Sequence, residues 1–170
     1  EVLAHVLDGG DSARFSRELV RGKQLAASAG AGYDLMARHD SLLTLQAVPA
    51  QGRTVAELET ALRQQIARLH ESLVSEQELA RIKAQVTASK VYELDSIFYQ
   101  AMQIGMLETV GLDWREADRY AERINAVTPE QIRQVARQYL HNEGLTVAIL
   151  DPQPLNAQTA GAQEVNHAGN

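Results

Sequence analysis

The sequence predicts an α+β domain in which several helices pack on one face of an antiparallel-rich sheet. Four short side-chain acceptors are each followed three residues later by Glu or Gln, a pattern that marks helix starts. Two β-prone segments flank a polar connection in the first third of the chain, and a further apolar, β-rich run follows the last helix pattern. Strands and helices that are segregated along the chain in this way are typical of an α+β fold.

The composition excludes several classes of function. The 170 residues fit one domain, and 45% hydrophobic with 22% charged residues is an ordinary globular mixture. A formal net charge of -6 disfavours the basic face that nucleic-acid binders need. The absence of cysteine excludes thiol catalysis, iron–sulfur clusters and cysteine-type zinc sites. The longest apolar run, residues 147–150, is far shorter than the roughly 18 residues of a spanning helix. We therefore expect neither nucleic acid nor a membrane as a partner.

The first predicted elements are a helix and a hairpin. The N-terminus has the apolar spacing of a helix, carried by Val2, Leu3, Val6 and Leu7. Because the chain begins inside this pattern, at Glu1 and without Met, we expect it to be a fragment of a longer protein. Residues 25–34 are rich in Ala and Gly, residues 41–48 alternate between apolar and polar, and the stretch 36–40 between them is polar. This arrangement predicts an antiparallel hairpin.

Helices are predicted to fill the middle of the chain. Their starts are Thr54 with Glu57, Ser75 with Glu78, Asp113 with Glu116, and Thr128 with Gln131, where Pro129 takes the first helical position. Behind Thr54 a spacing of three and four predicts an amphipathic packing helix through Val55, Leu58, Leu62, Ile66 and Leu69. Behind Ser75 a second series runs through Leu79, Ile82, Val86, Leu94, Phe98 and Leu107. Its length predicts one long helix or two, with a kink or break near Asp95 and Ser96.

The last predicted element is a buried strand. Residues 145–150 (LTVAIL) are entered through Asn142 and Gly144 and ended by Asp151 and Pro152, so we expect them to join the same sheet. The segment after Pro154 is polar and without periodicity, which predicts a loose tail. The predicted organisation is therefore a domain over residues 1–152 and a tail over residues 153–170.

The residues by themselves offer no catalytic constellation. The histidines are scattered at His5, His39, His70, His141 and His167. A zinc-protease helix needs two His three or four residues apart beside a Glu, and only His70 with Glu71 begins such a string. We expect each His to be solvated or to cap a backbone group, and we expect the carboxylates Glu71, Glu76 and Glu78 to be solvated helix surface.

Two glycine segments and three serines are the remaining candidates. Residues 9–12 predict a helix-start turn; the alternative, an anion site, lacks the Lys and Ser/Thr of a P-loop. The segment Gly30-Ala31-Gly32 predicts a closely packed strand. The serines, which we expect to be caps or surface residues, are Ser12, Ser16 and Ser28.

Three segments of the chain match the motifs of one known family in order and spacing. The motifs Gly-Gly-x-x-Ser-Arg-Leu, Glu-Leu and Arg-x-x-x-Gly-Leu-Ala-Tyr match at Gly9, Gly10, Arg14, Phe15, Glu18, Leu19, Leu25 and Ala26. Later motifs match within residues 75–85, and from residue 123 through the run 145–150 to Asp151 and Pro152. The chain therefore resembles the M16 family of zinc metallopeptidases, the pitrilysin and insulysin group that includes the mitochondrial processing peptidases.

The resemblance implies an architecture of paired, similarly folded halves that close around a peptide. In the family the first half carries the inverted motif His-x-x-Glu-His, and the later half encloses the substrate. This chain has no inverted motif and ends like a later half. It therefore resembles the non-zinc C-terminal half with its first strands missing. The resemblance implies no cofactor in this chain and zinc only in the partner half.

The resemblance also identifies two site positions. Active members use an Arg and a Tyr, seven residues apart, to hold substrate or to stabilise the developing oxyanion. An ungapped match places Val20 and Ala27 there, so both donors are absent and the resemblance implies no catalytic residue in this chain. A one-residue slip would instead place Arg21 and Ser28 there, but it breaks the match at Leu25.

Three functional hypotheses follow. The first is an inactive half that binds and encloses peptide for a zinc-bearing half in the same or a partner chain. The second is a degenerate pseudo-peptidase that acts as a protein-binding scaffold, and the third is a stand-alone enzyme with another chemistry. A half cut from its partner would also expose apolar and sheet-edge surface, so self-association of the fragment is expected. Resemblance to exported bacterial members favours the periplasm, although the sequence itself does not fix the compartment.

Overall fold

The computed structural model describes residues 1–93 and 95–152. The chain begins with a helix, a π-helix and a β-hairpin, and then continues almost entirely in helices. The elements in order are α1 (Val2–Asp8), a π-helix (Phe15–Gly22), β1 (Ala26–Tyr33), β2 (Leu43–Pro49), α2 (Val55–Glu71), α3 (Glu76–Glu93), α4 (Ile97–Thr109), α5 (Glu116–Ala126), α6 (Pro129–Tyr139) and a 3-10 turn (Asn142–Gly144). This mixture of helices and a small antiparallel sheet confirms the predicted α+β class.

The hairpin has the predicted position and direction. β1 and β2 pair antiparallel, with Ala31 opposite Leu45 and an irregularity between Ala26 and Ser28. Alternate residues of the two strands pack against the core, namely Ala29, Ala31, Leu43, Leu45 and Ala47. The residues between them on β2, Thr44, Gln46 and Val48, are exposed. One face of the sheet is therefore covered and the other is open.

The core lies between the N-terminal elements, the covered sheet face and the later helices. α1 is buried on almost every side, and Phe15 and Leu19 of the π-helix are completely buried. Leu58 and Leu69 of α2 and Leu79 and Ile82 of α3 meet them there, together with the residues Val86, Ile124, Ile132 and Ala136. The predicted core stripes of α2 and α3 are thus confirmed as far as Val86, although Val55 is exposed.

Two of the four predicted helix caps form completely. The Thr54 side chain accepts from the backbone N–H of Glu57, whose carboxylate in turn accepts from the Thr54 N–H at 2.8 Å. Thr128 and Gln131 form the same reciprocal pair. These two caps satisfy backbone donors that a helix start leaves unpaired.

The other two caps differ from prediction. The Ser75 hydroxyl does accept from Glu78 N–H, but the Glu78 side chain pairs with Arg14 instead of returning to Ser75. The predicted start at Asp113 is wrong, because its carboxylate accepts from the N–H of Arg115 at 2.8 Å and closes a turn first. α5 consequently begins only at Glu116.

The predicted break at Asp95 and Ser96 is confirmed. α3 ends at Glu93, and the Ser96 hydroxyl caps α4 by accepting from Tyr99 N–H. The apolar series does not keep its face across the break: Leu107 is buried, whereas Phe98 is 71% exposed. Because α3 ends at Glu93 and α4 begins anew at Ile97, one continuous spacing could not describe the buried faces of both helices. Leu94, which the series included, lies outside the described residues.

The prediction that residues 145–150 form a third strand is wrong. The sheet in the described part of the chain has two strands, and Leu145, Val147 and Ile149 are about half exposed. The preceding turn is held on the helical layer, where Arg63 donates to the Asn142 side chain at 3.0 Å. A β-prone sequence becomes a strand only where it pairs with a sheet edge, and among the described residues this segment pairs with none.

Two further points concern the ends and surfaces of the chain. The predicted tail, residues 153–170, lies outside the described residues. Among the helices of residues 1–93 and 95–152, none combines the length and the apolar character that crossing a bilayer requires.

Candidate functional site

The site begins at the π-helix, which leads into β1. Its wider turn is closed by the Lys23 N–H, which donates to the Glu18 carbonyl five residues earlier at 2.8 Å. Phe15 and Leu19 anchor it in the core. π-Turns are uncommon and often occur at functional positions, so this element is a candidate functional segment.

Charged contacts fix the π-helix to the helical layer. Arg14, just before it, makes two hydrogen bonds to the Glu78 carboxylate of α3, at 2.9 and 3.0 Å. Glu18 accepts from Gln65 at 2.9 Å and from Arg68, both on α2. Glu78 is therefore a structural ion-pair partner and not the solvated residue that the sequence predicted, whereas Glu71 and Glu76 are exposed as predicted.

The Glu18 carboxylate is held in its charged form. Partial burial opposes ionisation, but the hydrogen bonds from Gln65 and Arg17 outweigh it, and Arg68 adds to them. The pKa of Glu18 is consequently below its ordinary value. The carboxylate acts here as an anchor between the π-helix and α2.

The two positions that the resemblance identified lie at either end of the link from the π-helix to β1. Val20 is partly buried and packs against the hydrophobic core. Ala27 is exposed, at the irregularity of β1. Neither side chain has a hydrogen-bond donor, so neither can hold a carbonyl oxygen or an oxyanion.

The residues of the slipped match have other surroundings. Arg21 is exposed, and its guanidinium donates to the Asp11 carbonyl. Ser28 is exposed on β1. The assignment of Val20 and Ala27 to the family's Arg and Tyr positions remains a prediction from the sequence match.

Gln24 is a feature of this link that the sequence analysis missed. Its φ of +50° lies in the left-handed region, and no other non-glycine residue in the described part of the chain has a positive φ. Its carbonyl accepts from Arg53 at 3.3 Å, and the next residue, Leu25, donates from its N–H to Leu19 at 2.8 Å. The sequence did indicate an unusual backbone here: the family motif has Gly at the position of Gln24, directly before its Leu, and glycine adopts a positive φ without strain.

A small, open surface surrounds this link. Beside Leu25 a shallow groove of about 480 Å³ is lined by Lys23, Glu57 and Thr60, among others. The open sheet face carries mostly small or polar residues, since Gly30 and Gly32 of β1 lie opposite Gln46 and Thr44 of β2; Val48 is its exposed apolar residue. The Gly30-Ala31-Gly32 segment is close-packed as predicted: the Ala31 N–H donates to the Asp8 carboxylate at 3.1 Å, and a Cβ at Gly30 would come within 3.2 Å of the same oxygen.

The four histidines in the described part of the chain lie apart from one another and do not form a metal site. His5 and His70 contact the backbone carbonyls of Glu1 and Ala136 at 3.3 and 3.1 Å, and His141 contacts Glu143 at 3.1 Å. His39 is exposed, and His167 lies outside the described residues. Within residues 1–93 and 95–152 no group of three His, Cys, Asp or Glu could hold a metal ion, so the residues present do not fit the zinc of the peptidase family.

Comparison with solved structures shows the same fold in bacterial proteases. A protease from Helicobacter pylori superposes with a TM-score of 0.75 at 21% identity, covering 82% of this chain and 33% of that one. The inactive peptidase domain of a "putative zinc protease" from Bordetella parapertussis gives a TM-score of 0.72 at 19% identity, over 91% of this chain and 83% of that one. A "putative zinc protease" from Bordetella pertussis Tohama I gives 0.71 at 19% identity, over 84% and 77%. The chain thus spans a third of the Helicobacter protein.

Comparison at the level of sequence families gives the assignment. No curated protein matches the chain. The family model for the peptidase M16 inactive domain matches residues 1–86, just over half of the chain, including α1, the π-helix, the hairpin and α2. On this match, which agrees with the fold of its structural neighbours, the chain belongs to the peptidase M16 inactive-domain family.

Proposed function

We propose that this chain is the non-zinc half of a two-part zinc metallopeptidase, which binds and encloses peptide for a zinc-bearing half. The observation that carries the proposal is family membership combined with described residues, 1–93 and 95–152, among which no group of three His, Cys, Asp or Glu could hold a metal ion. The zinc-bearing half belongs either to the same polypeptide or to a separate subunit.

The open sheet face supports a role in enclosing peptide. One face of the hairpin packs against the core, so the other is free to line a chamber. Apart from the exposed Val48, its residues are small or polar, and Thr44 and Gln46 offer side-chain hydrogen bonds to a peptide backbone. A wall of this kind accommodates many sequences, because it offers few pockets for particular side chains.

The zinc-bearing half and this chain are proposed to have different roles in cleavage. Zinc in the other half would supply a Lewis acid and an activated water. In this chain Val20 and Ala27 contribute no donor to the reacting carbonyl, so the contribution of these residues is limited to the shape of the surface. The domain by itself is therefore proposed to be inactive.

Peptide binding without metal is the test of this proposal. A fluorescein-labelled peptide from reduced, alkylated casein is titrated with the chain in the presence of a chelator, and its anisotropy is recorded. We expect saturable binding that a Gln46→Glu and Thr44→Glu double variant weakens and that the distant Val135→Glu variant leaves unchanged. Absence of binding, or binding that requires added zinc, would refute the proposal.

A second candidate function is a protein-binding scaffold with no role in proteolysis. The packing of Val20 against the core favours it, since a position that serves packing is no longer available to a catalytic group. The variant Val20→Arg with Ala27→Tyr, mixed with the zinc-bearing half, distinguishes the two functions. An increase in peptide cleavage supports the enclosing half, whereas unchanged cleavage with retained pull-down of that partner supports the scaffold.

The domain bounds and the cellular compartment of the chain are also proposed. We propose that residues 1–152 form the domain and that residues 153–170 are a dispensable tail. Truncation after Pro152 should then leave the free energy of unfolding unchanged. The periplasm is proposed as the compartment, and fractionation of the source cells tests it.

A further inference from the structure

A shallow groove lies between α2 and the link from the π-helix to β1. Its volume is about 480 Å³, and the apolar part of its lining consists of Leu25, Ala56 and Ala61. The rest of the lining is polar or charged and comes from Lys23, Glu57, Thr60 and Gln64. All of these residues belong to the link or to α2, so the groove is a different surface from the open face of the hairpin.

Lys23 brings to this groove a positive charge that no carboxylate in the described part of the chain neutralises. The residue is exposed, and no Asp or Glu of residues 1–93 or 95–152 forms an ion pair with its ammonium group. The carboxylate in the same groove, Glu57, is engaged elsewhere: it accepts from the backbone N–H of Thr54 at 2.8 Å and from its hydroxyl at 2.9 Å. Arg53 lies 3.8 Å from the other oxygen of Glu57. A carboxylate that pairs with Lys23 would therefore come from another molecule.

The charges around the groove are predominantly positive. At one end Arg53 and Glu57 balance each other. One turn of α2 beyond the groove, Arg68 shares a single carboxylate, that of Glu18, with Arg17. With the unpaired lysine this makes four cations and two carboxylates, a local charge of +2 in a chain whose net charge is -6.

These features together select the chemistry of an occupant. The apolar lining favours an aliphatic side chain, and the stem of Lys23 extends the apolar surface while its ammonium group stays in water. The local positive charge attracts a carboxylate and repels a basic peptide. A long polyanion is disfavoured, because it would meet the negative charge of the rest of the chain. A short acidic segment with a neighbouring apolar residue meets all three conditions.

We propose that this groove, which we call the Lys23 groove, binds an acidic peptide segment of another polypeptide. The Lys23 ammonium group pairs with a carboxylate of that segment, and an adjacent aliphatic side chain packs against Leu25 and Ala56. The proposal is independent of the enclosing function, because the peptide wall proposed above consists of sheet residues such as Thr44 and Gln46, which do not line the groove. Failure of either proposal therefore leaves the other standing.

Fluorescence anisotropy with two matched peptides tests the charge preference. A rhodamine-labelled peptide, Ser-Glu-Leu-Ser-Glu-Ala-Leu-Ser, is titrated with the 170-residue chain, and a second peptide has Gln in place of both Glu residues. Because exposed ion pairs make modest contributions, we expect the Kd of the Glu peptide to be about fivefold lower than that of the Gln peptide at low ionic strength. Added NaCl should reduce this difference, since it screens exposed charges.

Substitutions inside and outside the groove locate the site. Lys23→Gln should bring the Kd of the Glu peptide close to that of the Gln peptide, whereas Lys23→Arg should retain the preference. Gln64→Glu should weaken binding of the Glu peptide and Gln64→Lys should strengthen it, because position 64 belongs to the lining. The matched control is Arg38→Gln, which removes another exposed cation, in the hairpin connection, and should leave both Kd values unchanged.

Two kinds of result would overturn the proposal. One is equal affinity of the chain for the two peptides, or no binding of either. The other is a preference for the Glu peptide that Lys23→Gln and Gln64→Glu both leave intact, because the acidic segment would then bind elsewhere. Circular dichroism checks that each variant is folded.

Discussion

The ion pair between Arg14 and Glu78 provides the sharpest test of how the N-terminal elements are held. Arg14 precedes the π-helix and Glu78 lies in the first turn of α3, so the pair joins segments 64 residues apart. Their side chains are only 10% and 13% exposed, and the two bonds have the fork geometry of a bidentate pair. Loss of one partner leaves a nearly buried charge without a counterion.

The expected magnitude follows from that burial. Removing one member of a buried pair typically costs 3–5 kcal/mol, and the residual solvent contact of both groups places the expected cost at the lower end, about 3 kcal/mol. We expect this cost for Arg14→Met and for Glu78→Met. The double variant removes both charges and keeps apolar volume, so it should be destabilised by less than about 1 kcal/mol.

Urea unfolding followed by circular dichroism measures these values. The slope of the transition should not change, since the surface exposed on unfolding is the same. A cost below about 1 kcal/mol for either single variant, or a cost for the double variant equal to the sum of the two, would contradict this expectation.

Three further predictions concern stability. Gln24→Gly should raise the free energy of unfolding by about 1 kcal/mol in urea titrations, because glycine adopts the positive φ of +50° without strain, while Gln24→Ala should give no gain. The pKa of Glu18 is lower in the folded chain than in the unfolded chain, so the unfolded chain binds more protons as the pH falls. The contribution of Glu18 to the free energy of unfolding is therefore present at neutral pH and is lost as the pH falls through the folded-state pKa, below about 4.5. In the Glu18→Gln variant the free energy of unfolding should therefore fall less steeply as the pH is lowered. The same steepness as in the wild-type chain would contradict this. Thr128→Ala should cost about 1 kcal/mol in thermal unfolding through loss of the α6 cap, whereas Thr60→Ala, in the middle of α2, should cost less.

The sequence predicted those elements whose signals are local. The hairpin follows from the apolar–polar alternation in residues 41–48. The caps at Thr54 and Thr128 follow from the three-residue spacing at which side chains reach the free backbone N–H groups of a helix start. The break at Asp95 and Ser96 was also visible, because a capping serine interrupts the pattern there. Each of these features depends on residues within a few positions of one another.

The features that the sequence did not predict depend on distant contacts. Residues 145–150 have strand propensity, but whether they form a strand depends on a neighbouring edge. Glu78 was predicted to be solvated helix surface, because its ion-pair partner Arg14 lies 64 residues away in the sequence. The π-helix is held by burial of Phe15 and Leu19 together with the contacts of Glu18 to α2. No local sequence pattern predicts a π-helix there.

The candidate site was reached from the motif match and not from recognisable chemistry. Val20 and Ala27 carry no functional group, so their interest arises only by comparison with a motif that has Arg and Tyr in their place. The structure adds what surrounds them: a core contact for Val20 and an open sheet face beside Ala27.

Reconstitution of peptide cleavage tests whether this chain acts as the non-zinc half of a peptidase. The zinc-bearing half is assayed for hydrolysis of a labelled casein peptide while this chain is titrated in, and zinc content is measured in each component. We expect kcat/KM to rise and to saturate at equal molar amounts, with the zinc confined to the other half. Hydrolysis by this chain alone in the presence of zinc, or a rate that its addition leaves unchanged, would rule out this function.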